Sequence, residues 1–328
     1  MTETDESEFG LSRGSFKLAD VEAQDLAKLT MILDQMAQQP AVQTLRRWAL
    51  EQLAPTIGET AIDVGSGTGE DVVELAKLVG PTGRALGIEP SPALRAEATR
   101  RAEALDGAEA GPWAGPVGGG GAGRGPGTVR GAEVVGGAEA VPGAGAVRGA
   151  EADGGLAGVE FVDGFAGALP LGAGSVDVVR CERVLQHVAD PAGAVADMAR
   201  VLRPGGRIVL IDTDWATAIV HPADPAVLQR MVDLFLAESA NPYSGRQLRG
   251  LLAGAGLEIT GETAATWIER QEGARQGFAS MMHLAALTAG VITKPEADAF
   301  AQGLAEAADR GAFHLSLTMY AVSARKPN

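Results

Sequence analysis

The sequence contains one cysteine, Cys181, and few aromatic residues, which make up 4% of its 328 positions. A single cysteine excludes an intramolecular disulfide framework and a zinc site built from several thiolates. No apolar run is long enough for a membrane-spanning helix, and the acidic start, MTETDESEFG, is unlike a signal or transit peptide. These absences predict a cytoplasmic protein.

Positive charge is also scarce, because 27 lysine and arginine residues stand against 42 aspartate and glutamate residues, giving a net charge of −15. Nucleic acids and anionic membranes both select a basic surface on their protein partners. We therefore expect neither of them as a partner. The length and the 46% of hydrophobic residues are sufficient for a sizeable core.

The hydrophobic pattern divides the chain into four parts. Residues 1–15 are predicted to form a flexible tail. Residues 16–53 have helical spacing and are predicted to form an N-terminal helical cap, with Pro40 beginning its second helix. Strand and helix patterns alternate through residues 54–215, which is typical of an α/β fold with a parallel sheet covered on both faces. Residues 216–328 are predicted to complete the sheet and to supply the helices of a substrate cap.

A low-complexity tract interrupts this alternation at residues 106–158. It consists almost entirely of Gly, Ala, Pro, Val and charged residues, and VRGAE occurs in it twice, at 129–133 and 147–151. Such a composition buries too little apolar area to offset the entropy of ordering the chain. We predict a disordered Gly/Ala-rich insertion between the second helix and the third strand of the α/β core, with a functional lid as the alternative.

A glycine loop follows the first strand of that core. Residues 61–71, AIDVGSGTGED, place three glycines at alternate positions, which indicates a backbone that approaches a ligand closely. A P-loop requires lysine after its last glycine, whereas this loop continues with Glu70 and Asp71. A dinucleotide loop beginning at Gly65 requires glycine at position 70, and two carboxylates in the first helical turn repel a diphosphate.

S-adenosylmethionine suits an acidic loop better, because it carries a sulfonium and an ammonium group and no phosphate. Asp63 ends the first strand, where it can hold the amino-acid end of this ligand. Glu89 ends the second strand and can accept hydrogen bonds from both ribose hydroxyls, and Asp163, after the third strand, can receive the adenine amino group. The carboxyl ends of adjacent parallel strands share one crevice, so the three acids are predicted to form one site.

The segments AIDVGSGTGED, GIEPS, FVDGFAGALPLGAGSVDVV and ARVLRPGGRIVLIDTDW resemble class I S-adenosylmethionine-dependent methyltransferases, particularly the ubiquinone/menaquinone methyltransferase group. The resemblance covers residues 41–104 and 159–215. It implies a Rossmann-like, seven-stranded, mostly parallel sheet with an antiparallel last strand, and S-adenosylmethionine as the cofactor. The cofactor-binding residues that it implies are Asp63, Gly65, Ser66, Gly67, Glu89, Pro90, Asp163, Gly164, Phe165, Cys181 and Glu182.

The resemblance also implies that the segment RCERVLQHVADP, after the fourth strand, touches both cofactor and substrate. His187 is the candidate general base, because imidazole titrates near neutrality, although a histidine here can simply bond the loop backbone. Arg183 could bind a substrate anion or the cofactor carboxylate, or form a structural salt bridge. Asp214 ends the fifth strand and is predicted to line the pocket. The four histidines have no metal-ligand spacing, so no metal is predicted.

The predicted function is methyl transfer from S-adenosylmethionine to an O, N or C nucleophile of a small organic molecule. A bacterial secondary metabolite is suggested by analogy alone. The alternative is a protein of the same fold that binds the cofactor but catalyses another reaction, such as a cyclisation. A small-molecule substrate is the expected partner, and a homodimer is compatible with the sequence.

Overall fold

The computed structural model describes residues 23–106 and 158–328. Three predicted segments lie wholly or partly outside the described residues: the tail at 1–15, residues 16–22 of the N-terminal cap, and positions 107–157 of the insertion. The described helices are α1 (Ala23–Ala37), α2 (Pro40–Leu53), α3 (Glu70–Val79), α4 (Pro92–Asp106), α5 (Pro191–Val201), α6 (Pro225–Glu238), α7 (Ser244–Gly254), α8 (Gly273–Gln276), α9 (Phe278–Thr288) and α10 (Lys294–Asp309). The strands are β1 (Thr60–Val64), β2 (Arg84–Ile88), β3 (Val159–Val162), β4 (Val176–Glu182), β5 (Leu202–His221), β6 (Glu258–Ile268) and β7 (His314–Arg325).

The seven strands form one sheet in the order β3-β2-β1-β4-β5-β7-β6. Strands β1 to β5 pair in parallel, and β7 runs antiparallel to both of its neighbours, β5 and β6. The predicted seven-stranded, mostly parallel sheet with an antiparallel last strand is therefore confirmed.

Helices cover both faces of the sheet, because the central strands are apolar on both sides. Alternate residues of each strand point to opposite faces. On one face Ala61 and Val178 belong to a core that includes Leu45 of α2 and Leu75 of α3. On the other face the neighbouring strand residues, among them Ile62, belong to a core shared with α5 and α7. The strands thus read as continuous apolar runs, as buried parallel strands do.

The ends of several helices follow from their sequence signals. Pro40 is the first residue of α2, where its missing N–H costs no hydrogen bond. Ser91 precedes Pro92 at the start of α4, and its Oγ accepts a hydrogen bond from the Leu94 N–H at 3.3 Å. Both helix starts were predicted from the sequence.

Strand β5 is longer than the sequence pattern indicates. It continues through the predicted boundary at residue 215 to His221, because β7 supplies partners for its last residues, such as Leu315 opposite Val220. The pairing shifts register between Asp214 and Ile219. Around this far end of the sheet, α6, α8, α9 and α10 form a third apolar core. These helices together are called the cap below.

Candidate functional site

The glycine loop connects β1 to α3 and requires backbone conformations that side chains rarely adopt. Gly65, Gly67 and Gly69 have φ angles of +74°, +52° and +82°. A Cβ atom on Gly65 would lie 2.2 Å from Val184 Cγ2, and one on Gly69 would lie 2.5 Å from the ring of Phe161. The glycines therefore let the loop pack tightly against Val184, just after β4, and against β3 at the carboxyl edge of the sheet.

Glu89 is fixed beside this loop. Its side chain is buried, and its two carboxylate oxygens accept hydrogen bonds from the N–H groups of Gly67 at 3.1 Å and Ser91 at 2.9 Å. Burial raises the pKa of Glu89, while these two backbone donors oppose the increase. Each carboxylate oxygen keeps a second lone pair, so the group can accept further hydrogen bonds from a ligand.

The neighbouring strand ends contribute a more open wall. Asp163 follows β3, and its side chain is 76% exposed, with Arg95 Nη1 donating to it at 2.6 Å. Phe165 is exposed to 60%. Gly164 packs against Ile88, and the Pro90 carbonyl accepts a hydrogen bond from Arg95 at 2.9 Å. An exposed aromatic ring beside a carboxylate is a suitable border for a purine.

Asp63, in contrast, belongs to a buried ionic network. It is 2% exposed and accepts a hydrogen bond from Arg180 Nη1 at 2.9 Å. Arg180, itself 2% exposed, also contacts Asp71 at 3.1 Å and Glu182. Arg46 of α2 bonds Glu182 at 3.1 Å and Asp71 at 3.1 Å. We call these five side chains the arginine–carboxylate network; it joins α2, α3, β1 and β4.

The sequence predicts an acidic site, but the network also places arginines there. The loop acids are balanced by cations, since Asp63 faces Arg180 and Glu70 faces Arg46 at 3.5 Å. Burial raises the pKa of Asp63, whereas the arginines around Glu182 overcome its burial and hold its pKa low. The site is therefore a paired arrangement of both signs, which can meet both the ammonium and the carboxylate of an amino-acid group.

The predicted contribution of Cys181 needs a correction. Its side chain is 1% exposed and packs in the apolar core on the α5 and α7 side of the sheet. Asp63 and Arg180 lie on the opposite face, because adjacent residues of a strand alternate. Burial raises the pKa of the thiol further. Only the backbone of Cys181 can border the crevice at the carboxyl ends of the strands.

Asp214 is likewise placed differently from the prediction. Its side chain is completely buried, and its carboxylate is bound by the guanidinium of Arg246 in α7, including a bond of 2.8 Å, and by the N–H of Ala216 at 3.2 Å. These contacts fasten α7 to β5. The catalytic prediction for Asp214 is therefore replaced by a structural ion pair.

Arg183 and His187 both lie in the segment that follows β4. Arg183 has a φ of +57°, a strained value for a residue with a side chain, and its Nε donates to Glu182 Oε1 at 3.1 Å. His187 ends the short 3-10 helix Leu185–His187 and is exposed. Surrounding protein atoms and the positive charge of Arg183 lower the pKa of His187 to about 4. The imidazole is thus neutral at pH 7 and a weak base.

Three site residues were missed by the sequence reasoning: Arg46, Arg180 and Gln186. Arg180 carried a usable signal, because an arginine inside the apolar strand VDVVRCE requires a buried counter-charge. Arg46 is one of two adjacent arginines in α2, and nothing local distinguishes it. Gln186 is buried and bonded to the ring of His187, a contact that spacing alone does not reveal.

Ser66 is part of the glycine loop, and its hydroxyl is buried without a hydrogen-bond partner in the described part of the chain. Within residues 23–106 and 158–328, no three His, Cys, Asp or Glu side chains are grouped closely enough to hold a metal ion. Over the same two ranges, none of the helices combines the length and apolarity needed to cross a bilayer.

Comparisons with known proteins bear on the family of this chain. A family model described as a methyltransferase domain matches residues 35–262. An uncharacterized 37.1 kDa protein in transposon TN4556 of Streptomyces fradiae is 29% identical over 335 residues, covering 97% of this chain and 80% of that protein. The demethylmenaquinone methyltransferase of Lactococcus lactis is 34% identical over 88 residues, but the match covers 27% of this chain and 32% of that enzyme.

Solved structures show the same fold. The YcgJ protein of Bacillus subtilis superposes with a TM-score of 0.50 at 14% identity, covering 87% of this chain and 99% of that one. The BH2331 protein of Bacillus halodurans also has a TM-score of 0.50 at 14% identity, covering 86% and 99%.

The chain belongs to the class I S-adenosylmethionine-dependent methyltransferase family, and S-adenosylmethionine is its cofactor. The residues present fit this group. The positive φ angles of the loop glycines allow a tight turn at the strand ends, Glu89 offers a buried carboxylate beside the loop, and the network pairs both signs of charge.

Proposed function

We propose that the chain transfers the methyl group of S-adenosylmethionine to an oxygen, nitrogen or carbon nucleophile of a small organic molecule. The observation that carries the choice of substrate is an aromatic cluster beside the segment after β4. Trp215, at the end of the predicted core, has its ring centroid 5.0 Å from that of Phe235 and 5.1 Å from that of Phe278. Its indole also bonds Gln186, next to His187. Trp215 and Phe235 are only partly buried, so their rings leave apolar surface that favours an apolar organic substrate under the cap.

The roles of the cofactor-binding residues follow from their placement. Glu89 would accept the ribose hydroxyls, and Asp163 and Phe165 would border the adenine. The glycine loop and the arginine–carboxylate network would hold the amino-acid end, where Arg183 offers a cation and Glu182 a carboxylate. When bound, the cofactor supplies a methyl group made electrophilic by the sulfonium. The cap would orient the nucleophile and exclude water.

Conversion of a substrate with formation of S-adenosylhomocysteine tests this proposal. The full chain is incubated with S-adenosylmethionine and a panel of small phenols, amines, carboxylic acids and enolisable ketones, and both products are measured by mass spectrometry. Methylated product and S-adenosylhomocysteine in equal amounts are expected. Substrate conversion without S-adenosylhomocysteine would identify the alternative, a non-methylating reaction that only uses the bound cofactor.

Glu89→Gln is expected to weaken S-adenosylmethionine binding about 10-fold or more, because hydrogen bonds to a charged group contribute about 1.5–3 kcal/mol. Isothermal titration calorimetry measures the affinity. Glu160→Gln is the matched control, since Glu160 lies on β3, is exposed and pairs with Arg84 at 3.2 Å. Equal affinity of the two variants would remove Glu89 from the cofactor site.

A further inference from the structure

Gln186 is held in place by its backbone. It lies in the 3-10 helix after β4 and is 6% exposed. Its N–H donates to Asp212 Oδ2 at 3.0 Å, and its carbonyl accepts a hydrogen bond from the Asn241 N–H at 3.0 Å. Asp212 also bonds Ser244 of α7 at 2.9 Å. The position of Gln186 is therefore set by β5 and by the chain entering α7.

The side-chain amide of Gln186 lies among three polar groups. Its Oε1 is 2.8 Å from Trp215 Nε1, and its Nε2 is 3.2 Å from the Arg183 carbonyl oxygen and 3.1 Å from His187 Nε2. An indole N–H can only donate, and a carbonyl oxygen can only accept. Both neighbours thus independently require the amide oxygen toward Trp215 and the amide NH₂ toward Arg183 and His187.

This orientation decides where the imidazole proton of His187 lies. The amide NH₂ is a donor, so His187 Nε2 must accept and carries no proton. A neutral imidazole has one N–H, which is therefore on Nδ1. The low pKa of His187 is consistent with a neutral ring at pH 7. The remaining ring lone pair, on Nε2, is already engaged by Gln186.

We propose that Gln186 is a positioning residue that fixes His187 as the Nδ1–H tautomer, so that His187 is a hydrogen-bond donor and not the general base of the reaction. The proposal rests on the proposed function in one respect, the assignment of this loop to substrate. It narrows the substrate to nucleophiles that carry an available electron pair without deprotonation by His187, such as carboxylates, ionised phenols and neutral amines.

The tautomer is measured directly by NMR on the uniformly ¹⁵N-labelled full chain at pH 7, using long-range ¹H–¹⁵N correlations of the imidazole rings. The chain has four histidines, and His187→Asn identifies the signals of His187. At least about a tenfold excess of the Nδ1–H form is expected, because the other tautomer sets the Nε2–H against the amide NH₂ of Gln186, two donors facing each other. A proton on Nε2 in the unmodified protein would overturn the proposal, with no variant needed.

Gln186→Glu supplies the complementary test. A carboxylate at this position accepts from Nε2–H, so His187 should change to the Nε2–H form. Gln186→Asn keeps the amide on a shorter side chain. It should therefore shift the tautomer only if the amide no longer contacts His187 Nε2. Gln38→Glu is the control, because Gln38 is exposed beyond α1. A tautomer unchanged in a folded Gln186→Glu variant would refute the role of Gln186. If NMR shows the Nδ1–H form of His187 but the protein transfers no methyl group to any substrate, the proposed function alone is refuted.

Discussion

Arg180→Met is expected to destabilise the fold by about 3–5 kcal/mol, the usual cost of removing one partner from a buried ion pair. Arg180 is 2% exposed and contacts Asp63, Asp71 and Glu182. Glu182 keeps Arg46 as a partner in the variant. Asp63 does not, because Arg180 is its only ion-pair partner among the described residues. The loss is a large fraction of the 5–15 kcal/mol that is typical of folded proteins.

Urea unfolding at 25 °C and pH 7.5, followed by circular dichroism, measures this free energy. Arg84→Met is the matched control, since Arg84 pairs with Glu160 and both side chains are more than half exposed; it should cost less than about 1 kcal/mol. Adding Asp63→Asn to Arg180→Met should recover part of the loss, because the uncompensated charge is removed. A variant no less stable than Arg84→Met would refute this account of the network.

The cost should also depend on pH with a definite sign. Burial already raises the pKa of Asp63, and loss of Arg180 removes a cation that lowers it. A carboxyl group with a raised pKa in the folded state binds its proton more tightly there, so stability is lost as pH rises from the unfolded pKa through the folded one. Arg180→Met should therefore lose more stability relative to the unmodified protein at pH 8 than at pH 5.5. The opposite trend would contradict the assignment.

Two further predictions concern the loop and the histidine. Gly65→Ala should cost about 1–3 kcal/mol in thermal unfolding and weaken S-adenosylmethionine binding, because its Cβ lies 2.2 Å from Val184 Cγ2. Gly290→Ala, at a φ of +71° with no atom within 4 Å, has the same backbone strain without the collision and should cost less; equal costs would contradict the clash. The His187 ring, with a pKa lowered to about 4, should show no NMR titration between pH 8 and 5.5, and an inflection near 6.5 would contradict this lowered pKa.

Local signals in the sequence were sufficient for much of the fold. The start of α2 at Pro40 and the hydroxyl of Ser91 at α4 are set by neighbouring residues, so they could be predicted. The end of β5 could not, because it depends on β7, almost 100 positions later in the chain. The run Ala216–Thr217–Ala218 contains no large apolar side chain, which led to the prediction of a strand that ends at Trp215.

The site shows the same division. Glu89 beside the glycine loop follows from strand order, since the ends of β1 and β2 must be adjacent. The partner of Asp63 is Arg180, 117 positions away, and the pairing exists only because β1 and β4 lie side by side. Charge counted from the loop alone therefore missed the cations that balance it.

The two longest strands have a consequence for engineering this enzyme. Strand β5 contributes Val209 to the core against α2 and α3, and Val220 to the core of the cap. Strand β7 does the same with Ala321 and Leu315. Chimeras that exchange the far end of the sheet together with the cap helices would cut both strands. A transplant that retains β5 and β7 and replaces only the helices of the cap keeps the shared ladder, and under the proposed function it is the way to change substrate specificity.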